Sequence, residues 1–242
     1  MFASRWQRVP VLLVALVAVA FGLAGCGSWA ILGSGASTVK PASRAKAASV
    51  DAKTVLLTAA KLRRALLTQI NGAAAAAPAA EGTYSTLPGT KQVREAGFSV
   101  DPKSCADASM ASFDTREVES APAASVTFRI GSNGISEVLL SPSDPSSALE
   151  RGVPAECARY TATTGGRTYN YALTDSGISG IGDQARLINV QTVGYPSDDI
   201  WAVLYRGPGF VGAVTIVGPE ASEVAVRELG TQAYGYAAKL LS

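Results

Sequence analysis

From Asp51 onward, apolar residues return at Val55, Ala59, Leu62, Leu66 and Ile70, in steps of four, three, four and four. That spacing places them on one helix face, with Lys61, Arg63 and Arg64 mostly off the stripe. Asp51 or Thr54 suits the helix start and Asn71-Gly72 its end. Ala73–Thr90 is low in complexity, with five successive alanines, Pro78 and Pro88. It reads as a loop, although the alanine run is able to prolong the helix.

Beyond residue 97 the period becomes two. Val126, Phe128 and Ile130 alternate with Ser125, Thr127 and Arg129 over Ala124–Ile130, and Ile135–Leu140 returns after Gly131–Gly134. Asn133-Gly134 marks this turn as a hairpin. Ser143-Asp144-Pro145 opens a short helix that ends before Pro154. Ala158–Thr163 and Thr168–Leu173 flank Gly165-Gly166 as a second hairpin, and Ala185–Val193 is a further strand. Ile200–Arg206 and Phe210–Val217 flank Gly207-Pro208-Gly209 as a third hairpin. Pro219 or Ser222 opens a last helix with the stripe Ala221, Ala225, Leu229, Ala233, Tyr236 and Leu240. Its Glu220 and Glu223 sit at the positive end of the helix dipole and Lys239 at the negative end.

Consecutive hairpins make an antiparallel sheet, and segregated helices make the fold α+β. We therefore expect a single domain over residues 51–242, a twisted antiparallel sheet with packed helices, flanked by an N-terminal and a C-terminal helix. The last hairpin is apolar on both faces: Ile200, Ala202 and Leu204 against Trp201, Val203 and Tyr205. Strands of that kind are covered on both sides, so this hairpin belongs mid-sheet, with a helix over one face.

The first residues read as an address. Arg5 and Arg8 precede an uncharged run of 11 apolar residues, Val11–Phe21, then Leu23-Ala24-Gly25-Cys26. This is a secretory signal layout, and the run is shorter than the ~20 residues of a membrane-spanning helix. Leu-Ala-Gly-Cys resembles the bacterial lipobox, which implies cleavage after residue 25 and a diacylglyceryl anchor on the thiol of Cys26. Such an anchor holds stably, because each buried CH₂ adds ~0.8 kcal/mol. The alternative is an uncleaved anchor in which Cys26 is only a small residue. Residues 26–50 then form a lipid-anchored flexible tether rich in Gly, Ser and Ala. The expected location is the extracytoplasmic face of the cell membrane.

Charge is uneven along the chain. Residues 40–64 hold seven bases (Lys40, Arg44, Lys46, Lys53, Lys61, Arg63, Arg64) against Asp51 alone, whereas residues 65–242 are net acidic. A basic stretch beside a lipid anchor suits an anionic membrane surface; a solvated linker and helix face is the other reading. The net charge of +2 offers no general basic surface for nucleic acid.

Once Cys26 is acylated, Cys105 and Cys157 remain. In an oxidising compartment one bridge is the natural reading; two buried thiols or a redox pair are the alternatives. With no histidine in the chain, Ser-His-Asp hydrolysis, His-ligated zinc and imidazole acid–base catalysis are excluded. Asp198-Asp199 suits a solvated turn after Tyr195-Pro196 better than a catalytic carboxylate pair. Gly180-Ile-Gly-Asp183 lacks the third glycine and the following helix of a phosphate loop. These residues support no enzyme, cofactor or metal site.

The lipobox, the tether, Leu-Leu-Thr-Ala-Ala at Leu56–Ala60, the two spaced cysteines and Gly180-Ile-Gly-Asp-Gln-Ala185 leading into a strand form a set. Over residues 51–242 this layout resembles actinobacterial lipoproteins related to the extracellular sensor domain of PknH-type Ser/Thr kinases. The resemblance implies one α+β domain with a cleft that binds a ligand or partner without catalysis. The kinase sensor domain carries two disulfides, whereas this chain has cysteines for one. Tyr169 and Tyr171 share a strand face, Arg186 begins another strand, and Trp201 and Tyr205 share the second face of the last hairpin; together they are the expected ligand site. The competing reading places Trp201 and Tyr205 in a second core face under a helix. Beside the binding module stand a lipid carrier between envelope layers and a protein-interaction accessory. The expected partners are thus the membrane and an envelope ligand or protein.

Overall fold

The computed structural model describes residues 56–95, 99–105, 113, 118–150, 152–194 and 199–242. Cys26, the signal segment, the tether and Asp198 lie outside the described residues. Among the described residues nine strands form one antiparallel sheet: β3 (Ala80–Thr83), β4 (Ser99–Asp101), β5 (Pro122–Ile130), β6 (Asn133–Leu140), β7 (Arg159–Thr164), β8 (Arg167–Ile178), β9 (Gln184–Thr192), β10 (Ile200–Gly207) and β11 (Phe210–Val217). Their order is β3-β5-β6-β11-β10-β9-β8-β7-β4. β1 (Gln69–Ile70) and β2 (Ala73–Ala74) form a separate small hairpin. The helices are α1 (Ala59–Arg64), α2 (Pro88–Glu95) and α3 (Glu223–Leu241). The α+β class and all three expected hairpins are present. Among the described residues no helix is long and apolar enough to cross a membrane.

The β10–β11 hairpin sits at the centre of the sheet, and both its faces are buried. Ala202, Leu204, Val211 and Val217 share a core with Tyr84, Leu87, Cys105, Phe113, Leu149 and Cys157, which come from irregular segments and short turns, and with the helical residue Val118. Val203, Tyr205, Phe210, Val214 and Ile216 share the other core with Leu62 and Leu66 near α1 and with Val226, Leu229, Ala233 and Ala237 of α3. One face is thus roofed by helices and the other by loop segments.

Three elements differ from the sequence pattern. α1 stops at Arg64, although Leu66 and Ile70 are buried as the stripe requires, with Leu67 buried beside them. The Leu67 N–H goes to the Glu137 carboxylate at 2.8 Å instead of a helical carbonyl. Asn71 and Gly72, at φ 50° and 79°, then turn Ile70 back against Ala73, as a two-residue hairpin with both central residues at positive φ requires. Asn71-Gly72 is therefore a hairpin turn and not a helix end. Second, the expected loop over 73–90 contains β2, β3 and the start of α2, and the Ala76 N–H bonds the Thr127 carbonyl at 2.8 Å. Alanine in the run follows the exposed edge of β5 because that edge supplies the hydrogen bonds. Third, the expected helix after Ser143 is a 3-10 turn at Ser147–Leu149.

α3 begins as expected at Ser222, whose hydroxyl accepts the Ala225 N–H at 3.3 Å. Its buried stripe is Val226, Leu229, Gly230, Ala233, Ala237 and Leu241, and Tyr236 and Leu240 are exposed. Gly230 explains this rotation. A Cβ there would lie 2.9 Å from Val203 Cγ1, so the hydrogen-faced position is the one that lets the helix approach β10. Asn133 fixes the approach to α3: its Nδ2 donates to Glu220 Oε2 at 2.9 Å, and its Oδ1 accepts the Glu220 N–H at 3.1 Å.

Candidate functional site

The helices cover the β5-β6-β11-β10 half of their face. On the same face of β4, β7 and β8 the outward residues stay in contact with solvent: Asp101, Arg159, Asn170 and Thr174 are exposed, and Thr161 and Thr163 half-buried. Alternation along the strands sends their neighbours Tyr160, Ala162, Tyr171 and Leu173 into the opposite core. Gly165 and Gly166, at φ 55° and 75°, make the tight turn that aligns β7 with β8. Tyr160 then lies directly opposite Tyr171, and the rings stack with centroids 5.1 Å apart and planes at 14°. Burial pushes the Tyr160 phenol well above its ordinary pKa, so it stays a neutral hydroxyl.

Register sets a transverse row across four strands. Asp101 faces Thr161, Thr161 faces Asn170, and the Val193 N–H bonds the Asn170 carbonyl at 2.8 Å just beyond β9. Arg159 stands two residues from Thr161 on the same strand face. This row borders an open pocket of about 360 Å³ lined by Asp101, Arg159, Tyr160, Thr161, Asn170, Tyr171 and Val193. Among the described residues, the side chains of Asp101, Arg159 and Asn170 have no hydrogen-bond or ion-pair partner within the protein. Asp101, Arg159 and Asn170 thus border one hollow without satisfying one another.

The Cys105–Cys157 disulfide holds the two sides of this hollow together. Cys105 follows Asp101 by four residues and Cys157 precedes Arg159 by two. Both sulfurs are fully buried. With a sequence separation of 52 residues, the chain-entropy argument assigns the bridge about 4 kcal/mol.

The five residues expected to share a ligand site are divided between the two faces. Tyr171 lines the pocket, and Tyr169 packs half-buried on the same core as Tyr171. Arg186 also lies on that side, held by Asp175: Nε donates to Oδ1 at 3.1 Å and Nη2 to Oδ2. Asp175 Oδ2 accepts the Val153 N–H at 2.8 Å as well. The guanidinium is nearly enclosed and spent on this ion pair. Trp201 and Tyr205 sit on the opposite face. Trp201 is half-buried against the helix-side core. Tyr205 is 0% exposed, edge-on to Phe210 and Tyr234 at centroid distances of 6.5 and 5.8 Å.

Tyr205 has a neighbour that the sequence pattern did not single out. Glu137, between Ile135 and Leu139 on β6, points into the helix-side core and is 1% exposed. One carboxyl oxygen takes the Leu67 N–H; the other has no hydrogen-bond partner, and neither does the Tyr205 hydroxyl. Burial raises the Glu137 pKa to about 8, and only the Leu67 hydrogen bond opposes it. Burial, with a smaller contribution from Glu137, also drives the Tyr205 phenol up. The clue available in the sequence was an acid at the centre of the apolar run Ile135–Leu140.

No protein-family profile matches the chain, and no curated protein sequence does. Among solved structures it is similar to an uncharacterized protein of Mycobacterium smegmatis, the ortholog of Rv0999, at 15% identity and a TM-score of 0.39 over 59% of this chain and 77% of that one. It is also similar to the extracellular domain of PknH from Mycobacterium tuberculosis, at 11% identity and a TM-score of 0.48 over 78% of this chain and 98% of that one.

Proposed function

We propose that the protein is a non-catalytic, sensor-like binding module, held at the extracytoplasmic face of the membrane through diacylglyceryl Cys26, that takes a small envelope ligand in the β7–β8 pocket. The observation that carries this reading is the unpaired set of Asp101, Arg159 and Asn170 around one open hollow. Gathered at one hollow, they supply the few placed polar groups that a binding site needs. The disulfide beside the pocket suits an oxidising compartment, as the signal layout requires. A hollow edged by Asp101, Arg159 and Asn170 suits a hydrogen-bonding ligand better than acyl chains, so this reading is preferred to lipid carriage.

Anchor and pocket are tested together on the full-length chain. Wild type is expected to incorporate palmitate, and Cys26→Ala to lose the label. A ligand that binds only the folded state raises the melting temperature. A low-molecular-mass extract of the cell envelope should therefore raise it for wild type and not for Arg159→Ala. Palmitate labelling of Cys26→Ala refutes the anchor; an equal thermal response in both proteins refutes the pocket.

A further inference from the structure

The unpaired groups of the pocket also define the chemistry of what fills it. The geometry points to a neutral, unbranched saccharide lying along the row Asp101–Thr161–Asn170–Val193. This rests on the pocket reading above and adds the class of ligand.

Charge is the first argument. Asp101 and Arg159 line the same hollow, so it carries one negative and one positive group. No cluster of cations recruits a phosphate or sulfate, and no cluster of carboxylates recruits a metal ion or polyamine. The matching ligand is neutral overall.

Hydrogen bonding is the second. A carboxylate only accepts, a guanidinium only donates, and an amide or hydroxyl does both. A vicinal diol offers donors and acceptors on adjacent carbons, so it satisfies Asp101 through its O–H groups, Arg159 through its oxygen lone pairs and Asn170 through either. An apolar ligand would leave all three without partners, and a ligand with acceptors alone would leave Asp101 so.

Shape is the third. The row crosses four neighbouring strands, and three inter-strand spacings make it roughly 14 Å long, which accommodates about three successive sugar rings. Val193, 48% exposed, ends the row with an apolar surface for a C–H face. The hollow is open to solvent, so a ligand longer than the row is able to extend beyond it.

The test uses the full-length lipidated chain in micelles of a detergent without a sugar headgroup. The probes are chitotriose, cellotriose and maltotriose, with inorganic phosphate and glycine as anionic and zwitterionic comparisons. Binding is read by saturation-transfer difference NMR. At least one trisaccharide should bind saturably, with affinity falling about tenfold in Asp101→Ala and in Asn170→Ala. Arg227→Ala, which alters an exposed α3 ion pair away from the pocket, should bind as wild type. All three substitutions are of surface side chains, and thermal melts verify folding. If glycine or phosphate binds, no trisaccharide does, and the pocket substitutions abolish that binding, the saccharide class is overturned and the pocket reading stands. If a trisaccharide binds equally to wild type and to both pocket variants, its site lies elsewhere and both readings fall. If no probe binds, the saccharide inference is overturned, and the envelope-extract melt decides the pocket by itself.

Discussion

The buried carboxyl of Glu137 makes stability depend on pH in a way that one substitution isolates. In the unfolded chain its pKa is near 4.5; in the folded protein it is about 8. Between those values the folded state holds a proton that the unfolded state has released. Unfolding free energy therefore falls as pH rises, by about 1.4 kcal/mol per pH unit for one proton. The contribution is fully present below about pH 4.5, is lost progressively up to about pH 8, and has gone above it. The whole span is on the order of 5 kcal/mol, large beside the 5–15 kcal/mol stability typical of a domain. Glu137→Gln keeps the shape, remains able to accept the Leu67 N–H, and cannot ionise. Urea unfolding of wild type and Glu137→Gln at pH 5, 6, 7 and 8 measures the difference, and titrations common to both proteins cancel. The variant should match wild type to about 1 kcal/mol at pH 5 and exceed it by roughly 3 kcal/mol at pH 8. Two curves that stay parallel from pH 5 to 8 would refute the argument, because they would mean that Glu137 changes no protonation on folding.

Two further predictions follow from close packing. Gly212 faces Tyr205 across β10 and β11, and a Cβ there would fall well inside contact distance of the phenol ring; Gly212→Ala should cost about 1–3 kcal/mol in chemical denaturation, and unchanged stability would show that the ring moves freely. Arg186→Met leaves Asp175 with only the Val153 N–H at the floor of the loop-side core; it should destabilise by about 3–5 kcal/mol, and adding Asp175→Leu should restore part of that, whereas additive losses would contradict a coupled pair.

The hairpins were legible because each is local. Alternation over Ala124–Ile130, the double-sided apolar run Ile200–Arg206 and the glycine pairs state strand, burial and turn within about twenty residues. The central place of β10–β11 followed from the same run. Long-range pairing was not legible. β3 and β4 are too short, at four and three residues, for a pattern to declare them, and they are strands because β5 and β7 offer them free edges. The end of α1 was hidden for a like reason: after Ala65 and Leu66 bond local carbonyls, the group that takes the Leu67 N–H is Glu137, seventy residues away. The stripe of α3 was misplaced because Gly230 scores as neutral in a hydropathy pattern, whereas in the packed helix its missing side chain makes it the contact residue.

The site was read less well than the fold, because aromatic and double-sided apolar residues mark burial before they mark binding. Trp201 and Tyr205 were conspicuous through the size of the apolar surface they carry, and that surface takes Tyr205 wholly into the helix-side core and half of Trp201 with it. Tyr171 was selected on the same ground; it borders the pocket, yet its ring is buried in the opposite core and stacked on Tyr160. The groups left uncommitted are small and polar, and nothing in a linear pattern distinguishes Asp101 or Asn170 from any solvated loop residue. What brings them together is register, and register is set by the Gly165-Gly166 turn and by the bridge from Cys105 to Cys157. The disulfide therefore does more than stabilise. It fixes the short edge strand that carries Asp101 against the strand that carries Arg159, so two opposite charges are presented side by side on the open face.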